Sequence, residues 1–138
     1  FSQARLCPPS VEQKAALAAY LMGKDYFEEI KQEYQRRREV LFEGLKSIPG
    51  IVIHKPQGAF YIIVRLPIKD AEHFVAWMLT DFHLDQETVM VAPAQGFYSS
   101  PDKGKDEVRI AYVLKEQDLR RAIEVFKAGL KKYQTLFS

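Results

Sequence analysis

The sequence predicts an α+β domain: a small, mostly antiparallel sheet with helices packed on one face, plus a long N-terminal linking helix. Three observations predict it. Helical periodicities and short β-branched runs follow the order α-α-β-β-α-β-β-α, without the strict β-α alternation of a doubly wound sheet. The 138 residues, 47% of them hydrophobic, suffice for one buried core. No repeat, low-complexity tract or domain-sized linker divides them.

Pro8-Pro9-Ser10 stops an extended lead-in and opens a helix over 10–22. Ser10 with Gln13 reads as a capping box, and Gly23 as a left-handed cap. Asp25 with Glu28 repeats the start signal for a helix from about 26 to 47. Phe27, Ile30, Tyr34, Leu41, Leu45 and Ile48 recur along it at helical spacing, with Arg37 and Arg38 filling the gap. Such a helix is roughly 33 Å long, as long as a domain of this size is wide. Pro49-Gly50 ends it.

Residues 51–54 read as a short strand, and Lys55-Pro56-Gln57-Gly58 as a turn. Residues 59–65 read as a central strand, because 59–64 are continuously apolar. Asp70 can cap a helix over 71–82, whose apolar residues are Ala71, Phe74, Val75, Met78 and Phe82. Strands follow at 89–92 and 108–113. Between them, 93–107 has two Pro, two Gly, two Ser and two Asp and no periodicity; loops of this length in compact domains are often functional. Leu119, Ala122, Ile123, Phe126, Leu130 and Tyr133 mark a final amphipathic helix over 116–136.

Several function classes fall away. Twenty Lys+Arg against 18 Asp+Glu leave a formal charge of +2, with no basic excess for nucleic acid. The run 59–64 is far short of the roughly 20 apolar residues of a membrane helix. The single Cys7, read as a packing residue, permits no intramolecular disulfide and fits a reducing compartment, so the cytoplasm is the expected location. His54, His73 and His83 share no ligand spacing, and no metal site is expected. The Gly residues form no phosphate-cradling motif. Ser100-Pro101-Asp102-Lys103 matches Ser-x-x-Lys, but Pro101 and Gly104 oppose the helix that such a nucleophile–base pair needs, and a solvated loop is expected. The chain opens at Phe1 rather than Met and lacks a secretory leader pattern, which suggests a piece of something larger.

The informative residue is Arg109. Strand alternation puts Val108, Ile110 and Tyr112 on one face and Arg109, Ala111 and Val113 on the other. A guanidinium in mid-strand on a small, apolar face calls for an anionic partner, and its planar fork suits a carboxylate held through two hydrogen bonds. Two readings are open: an internal ion pair with one of the 18 acids, or a carboxylate that arrives from outside.

Three stretches, taken together and in order, resemble a known family. The first is Ser2-Gln3-Ala4-Arg5-Leu6-Cys7-Pro8-Pro9-Ser10-Val11-Glu12-Gln13-Lys14-Ala15-Ala16, followed by the long helix with Tyr34-Gln35-Arg36-Arg37-Arg38-Glu39-Val40-Leu41. The second is Lys55-Pro56-Gln57-Gly58-Ala59-Phe60-Tyr61. The third is Val91-Ala92-Pro93-Ala94-Gln95-Gly96-Phe97, then Glu107-Val108-Arg109-Ile110-Ala111-Tyr112. Over essentially its whole length the chain resembles the C-terminal part of class I pyridoxal-phosphate aminotransferases, the aspartate aminotransferase-like fold-type-I family.

That resemblance implies a division of the chain. Residues 1–24 would belong to the junction with a large domain, with 1–9 just after the cofactor lysine and near the partner subunit of a homodimer. Residues 25–48 would be the linking helix, and 49–138 the small C-terminal domain. Arg109 would bind the α-carboxylate of the substrate. The intact enzyme would carry pyridoxal phosphate and transfer an amino group between an amino acid and a 2-oxo acid. The cofactor lysine, the aspartate on the pyridine nitrogen, the stacking aromatic residue and the phosphate ligands would all precede Phe1. No catalytic or cofactor-binding residue is therefore expected in this chain, which alone should be inactive and bind no cofactor specifically. Two departures stand out: Pro93-Ala94 where the family has Pro-Gly, with glycine displaced to Gly96, and Lys115-Glu116 where a Ser or Thr helix cap is common. Lyases of the same fold are also compatible. The competing reading is a stand-alone, non-catalytic α+β binding module with Arg109 in a structural salt bridge.

Overall fold

The computed structural model of the chain describes residues 8–137. The expected packing role of Cys7 lies outside the described residues. The chain forms two compact units that divide between Glu33 and Tyr34.

The first unit holds α1 (Ser10–Tyr20) and the opening turns of α2 (Lys24–Lys46). No residue of α1 is buried. Val11, Leu17, Tyr20, Leu21, Met22, Phe27 and Ile30 are all exposed. Three expectations for this stretch do not hold. Asp25 does not start α2, which already begins at Lys24, so Asp25 lies in its first turn. The capping box is absent: Pro9 is the N-cap, Ser10 is already helical, and no side chain caps the end. Pro9 supplies the extended backbone itself (φ −57°, ψ 149°), which moves the helix start one residue earlier. The Gln13 amide instead donates to the Pro8 carbonyl at 2.7 Å. Gly23 is not a left-handed cap either. The helix stops at Tyr20, and Leu21 ends it in a right-handed conformation (φ −85°) with its N–H still bonded to helical carbonyls.

The second unit is built on a four-stranded sheet: β1 (Val52–Ile53), β2 (Tyr61–Arg65), β3 (Ala92–Pro93) and β4 (Glu107–Ala111). Its order is β1-β2-β4-β3, and all three pairings are antiparallel. The sheet carries α3 (Ala71–Thr80) and α4 (Glu116–Phe137). The fold is thus the α+β arrangement expected. The apolar run places β2 centrally, between β1 and β4. Within it Ile62 and Val64 are buried while Tyr61, Ile63 and Arg65 are exposed. The covered face joins a single core with Leu41 and Leu45 of α2, Phe74 and Met78 of α3, and Leu119, Phe126 and Leu130 of α4. These are the residues that helical periodicity selects.

The strands are shorter than expected. His54 falls outside β1, and 89–91 lie outside β3, which pairs only at Ala92 and Pro93. An edge position suits a proline, which has no N–H to give a further neighbour. β4 begins one residue early and stops at Ala111, although Tyr112 N–H still donates to the Phe60 carbonyl at 2.9 Å. Asp70 caps α3 as expected, accepting from His73 N–H at 2.8 Å. That helix ends at Thr80, short of Phe82, which is nevertheless buried. The Pro49-Gly50 stop holds, with Gly50 at φ +80°. Among the described residues no helix is long and apolar enough to cross a membrane.

Candidate functional site

Arg109 sits at the centre of β4, between Ile63 of β2 and Ala92 of β3. The alternation that buries Val108 and Ile110 turns Arg109 to the uncovered face. Tyr61 lies diagonally across on β2, within reach of a long side chain. The guanidinium carbon of Arg109 lies over two rings, 5.2 Å from the centroid of Tyr61 and 4.4 Å from that of Phe97. Among the described residues the Arg109 guanidinium has no hydrogen-bond or ion-pair partner.

The nearby acids at the start of β4 are engaged elsewhere. Glu107 accepts from the Tyr98 hydroxyl at 2.5 Å and lies 3.5 Å from the Arg65 guanidinium. Asp106 also lies 3.5 Å from Arg65. The bond to Glu107, reinforced by burial, pushes the Tyr98 phenol above its ordinary range, so Tyr98 stays a donor.

Phe97 comes from the aperiodic stretch 93–107, and that stretch is tied at many points. Ala94 N–H donates to the Glu107 carbonyl at 2.8 Å. Gln95–Phe97 forms one 3₁₀ turn. The Gln95 amide donates to the Pro101 carbonyl at 3.0 Å, and Glu107 N–H to the Gly104 carbonyl at 3.1 Å. Gly104 has φ +74°, and a Cβ there would stand 2.6 Å from the Tyr98 ring. Only glycine meets both demands. Ser100 and Lys103 are exposed in this loop, as expected of a chance Ser-x-x-Lys match. The Pro93-Ala94 departure has a simple basis: Ala94 is buried in a right-handed conformation (φ −93°) that suits any L-residue.

The turn before β2 is tied as well. Arg38 donates to the Pro56 carbonyl at 3.0 Å, and the Tyr112 hydroxyl to the Ala59 carbonyl at 2.9 Å. Ala59 takes a left-handed conformation (φ +60°). Arg37 donates to the Val113 carbonyl at 2.6 Å. The bonds to Pro56 and Ala59 hold the turn that leads Tyr61 into the sheet.

Sequence reasoning finds Arg109 and the loop but misses what joins them. Tyr61 carries a usable signal, since it shares a strand face with Ile63. Phe97 carries none, because nothing periodic places a loop ring. Elsewhere, a cavity of about 610 Å³ lined by Lys69, Asp70, His73 and Tyr133 does not include Arg109. Among the described residues no cluster of His, Cys, Asp and Glu could hold a metal.

Residues 3–126 match the family model of aminotransferase class I and II, and the chain belongs to that family. It is 36% identical over 137 residues to an aspartate aminotransferase of Sulfurisphaera tokodaii, covering 94% of this chain and 32% of that protein. Identity to an aspartate aminotransferase of Rhizobium meliloti is 34% over 143 residues, covering 95% of this chain and 32% of that one. Among solved structures, alanine aminotransferase from Pyrococcus furiosus superposes with a TM-score of 0.76 at 31% identity, covering 94% of this chain and 32% of its own. Aspartate aminotransferase from Rhizobium meliloti superposes with a TM-score of 0.72 at 32% identity, covering 94% and 33%. The chain spans about a third of the length of the relatives it matches.

Proposed function

We propose that the chain is the C-terminal part of a pyridoxal-phosphate-dependent amino-acid aminotransferase, and that Arg109 binds the α-carboxylate of the amino acid or 2-oxo acid substrate. The observation that carries this reading is a half-buried mid-strand arginine with no acid partner among the described residues. A guanidinium in that state has its planar fork unoccupied by any described acid, and a carboxylate is its best geometric complement. The competing reading, a stand-alone module with Arg109 in a structural salt bridge, needs an internal acid that is not found there.

Arg109 then fixes the orientation of the substrate while the reacting bonds lie elsewhere. Pyridoxal phosphate supplies the electron sink for moving an amino group. The residues present do not fit that cofactor. No lysine stands on β2, β3 or β4, and Arg65, the other cation of the open face, is engaged by Asp106 and Glu107. The cofactor would be held by residues outside this chain, and the chain alone would be inactive. Residues 1–24 would form the junction with a large domain, 25–48 the linking helix and 49–138 the small domain. The exposed Leu17, Tyr20, Leu21 and Phe27 support a surface that the rest of a longer protein covers. A homodimer and a cytoplasmic location complete the proposal, the latter supported by the single cysteine.

The test is Arg109→Ala in the full-length protein. The expected loss in kcat/KM is on the order of 10²-fold or more, with the cofactor still bound. Arg109→Lys should raise KM and lower kcat, because it keeps the charge and loses the fork. Unchanged kinetics in both variants would refute the assignment.

A further inference from the structure

We propose that Phe97 and Tyr61 are positioning residues: two rings that clamp the Arg109 guanidinium and leave its fork free for the substrate carboxylate. The inference rests on the carboxylate-binding reading of Arg109.

An arginine waiting for a ligand poses a physical problem. Left loose, it loses side-chain freedom each time a carboxylate binds. Held by an internal acid, it is fixed, but the fork is already occupied. Aromatic rings avoid both difficulties. A ring attracts the cation through its negative face, and it accepts no hydrogen bond in the guanidinium plane. The N–H donors therefore stay available. Both distances, 4.4 Å to Phe97 and 5.2 Å to Tyr61, lie within the range of roughly 6 Å for this attraction.

The two rings are delivered by independent means. Tyr61 arrives through sheet register, one diagonal step from Arg109. Phe97 arrives through the tied loop, in which the Ala94–Glu107 backbone bond and the Gly104–Tyr98 contact set the 3₁₀ turn. Phe97 remains 60% exposed, so core packing does not account for its position. The clamp is in place before substrate arrives and persists through the reaction. It therefore contributes uniform binding, which appears in KM rather than in kcat.

The test has two arms. In this chain, the Arg109 Nε–H proton, assigned by its loss in Arg109→Lys, should resonate upfield of arginines such as Arg65 and Arg121 because of the ring currents. Phe97→Leu should remove most of that displacement and Phe97→Tyr should keep it. In the full-length protein, Phe97→Leu should raise KM for the amino acid about tenfold and leave kcat within about twofold, with Phe97→Tyr restoring KM. An undisplaced Arg109 resonance overturns the clamp. So does an unchanged KM in Phe97→Leu when Arg109→Lys does raise it. If Arg109→Lys changes neither KM nor kcat, the carboxylate reading fails first and the clamp falls with it.

Discussion

The two faces of the sheet obey opposite rules although they share the same strands. On the covered face Ile62, Val64, Val108 and Ile110 meet side chains from three helices, and the buried residues of the chain include no polar or charged side chain among those described. On the open face Tyr61, Ile63, Arg65 and Ala111 are exposed, Glu107 and Arg109 are half-buried, and none of the six belongs to the core. Here the charges divide again: Arg65 is engaged by Asp106 and Glu107, while the Arg109 guanidinium lies over two rings and, among the described residues, pairs with no acid. Alternation along one strand thus separates the buried residues of the core from an arginine that, among the described residues, pairs with no acid. A change on one face should be nearly silent in the property governed by the other.

The strongest test of that separation lies in the core. Phe74 is fully buried and makes edge contacts with Phe126 and Tyr133. Phe74→Ala should cost about 3–5 kcal/mol in chemical denaturation; a loss below about 1 kcal/mol would mean that the covered face is not the seat of stability. Gly104→Ala comes next, since it combines a strained backbone with the Tyr98 ring. It should cost about 1–3 kcal/mol and, by loosening the loop, also weaken the ring displacement of the Arg109 resonance. The smallest change in folding is expected from Arg109→Ala, which gives up two ring contacts and no described ion pair. Denaturation should move by no more than about 1 kcal/mol, even though this variant should have the largest kinetic effect. A loss of several kcal/mol would show that the open face is structural after all.

Much of this division is legible in the residues. The amphipathic spacing of Leu119, Phe126, Leu130 and Tyr133 identifies α4, because a 3.6-residue period leaves a long helix few alternatives. The Val108–Ile110 alternation places Arg109 on the far face. Element ends are less legible. Ser10 resembles a cap, but a preceding proline already has the backbone that a cap requires. Residues 89–91 look like a strand, but an edge pairing depends on where the neighbouring chain runs. The rings around Arg109 are the least legible part. Phe97 is set by Gly104 and Tyr98, residues whose contact arises only once the loop closes.

The turn after α3 has a consequence of another kind. Asp85 and Gln86 both adopt left-handed conformations (φ 52° and 66°), a pairing that usually calls for glycine. The turn is closed by mutual backbone bonds between Leu84 and Glu87, and Arg121 grips it from α4, 2.8 Å from Asp85 and 2.7 Å from Glu87. Those two carboxylates, Glu87 foremost, hold the Arg121 guanidinium even further above its usual range. All of these groups face water, so the grip is subject to counterions. Raising salt from about 0.1 M to about 1 M shortens the screening length from about 10 Å to about 3 Å. Amide exchange at Leu84 and Glu87 should quicken over that interval while exchange in β2 and β4 stays constant. The hairpin is thus a small gauge of ionic strength, fastened to a core that does not respond to it.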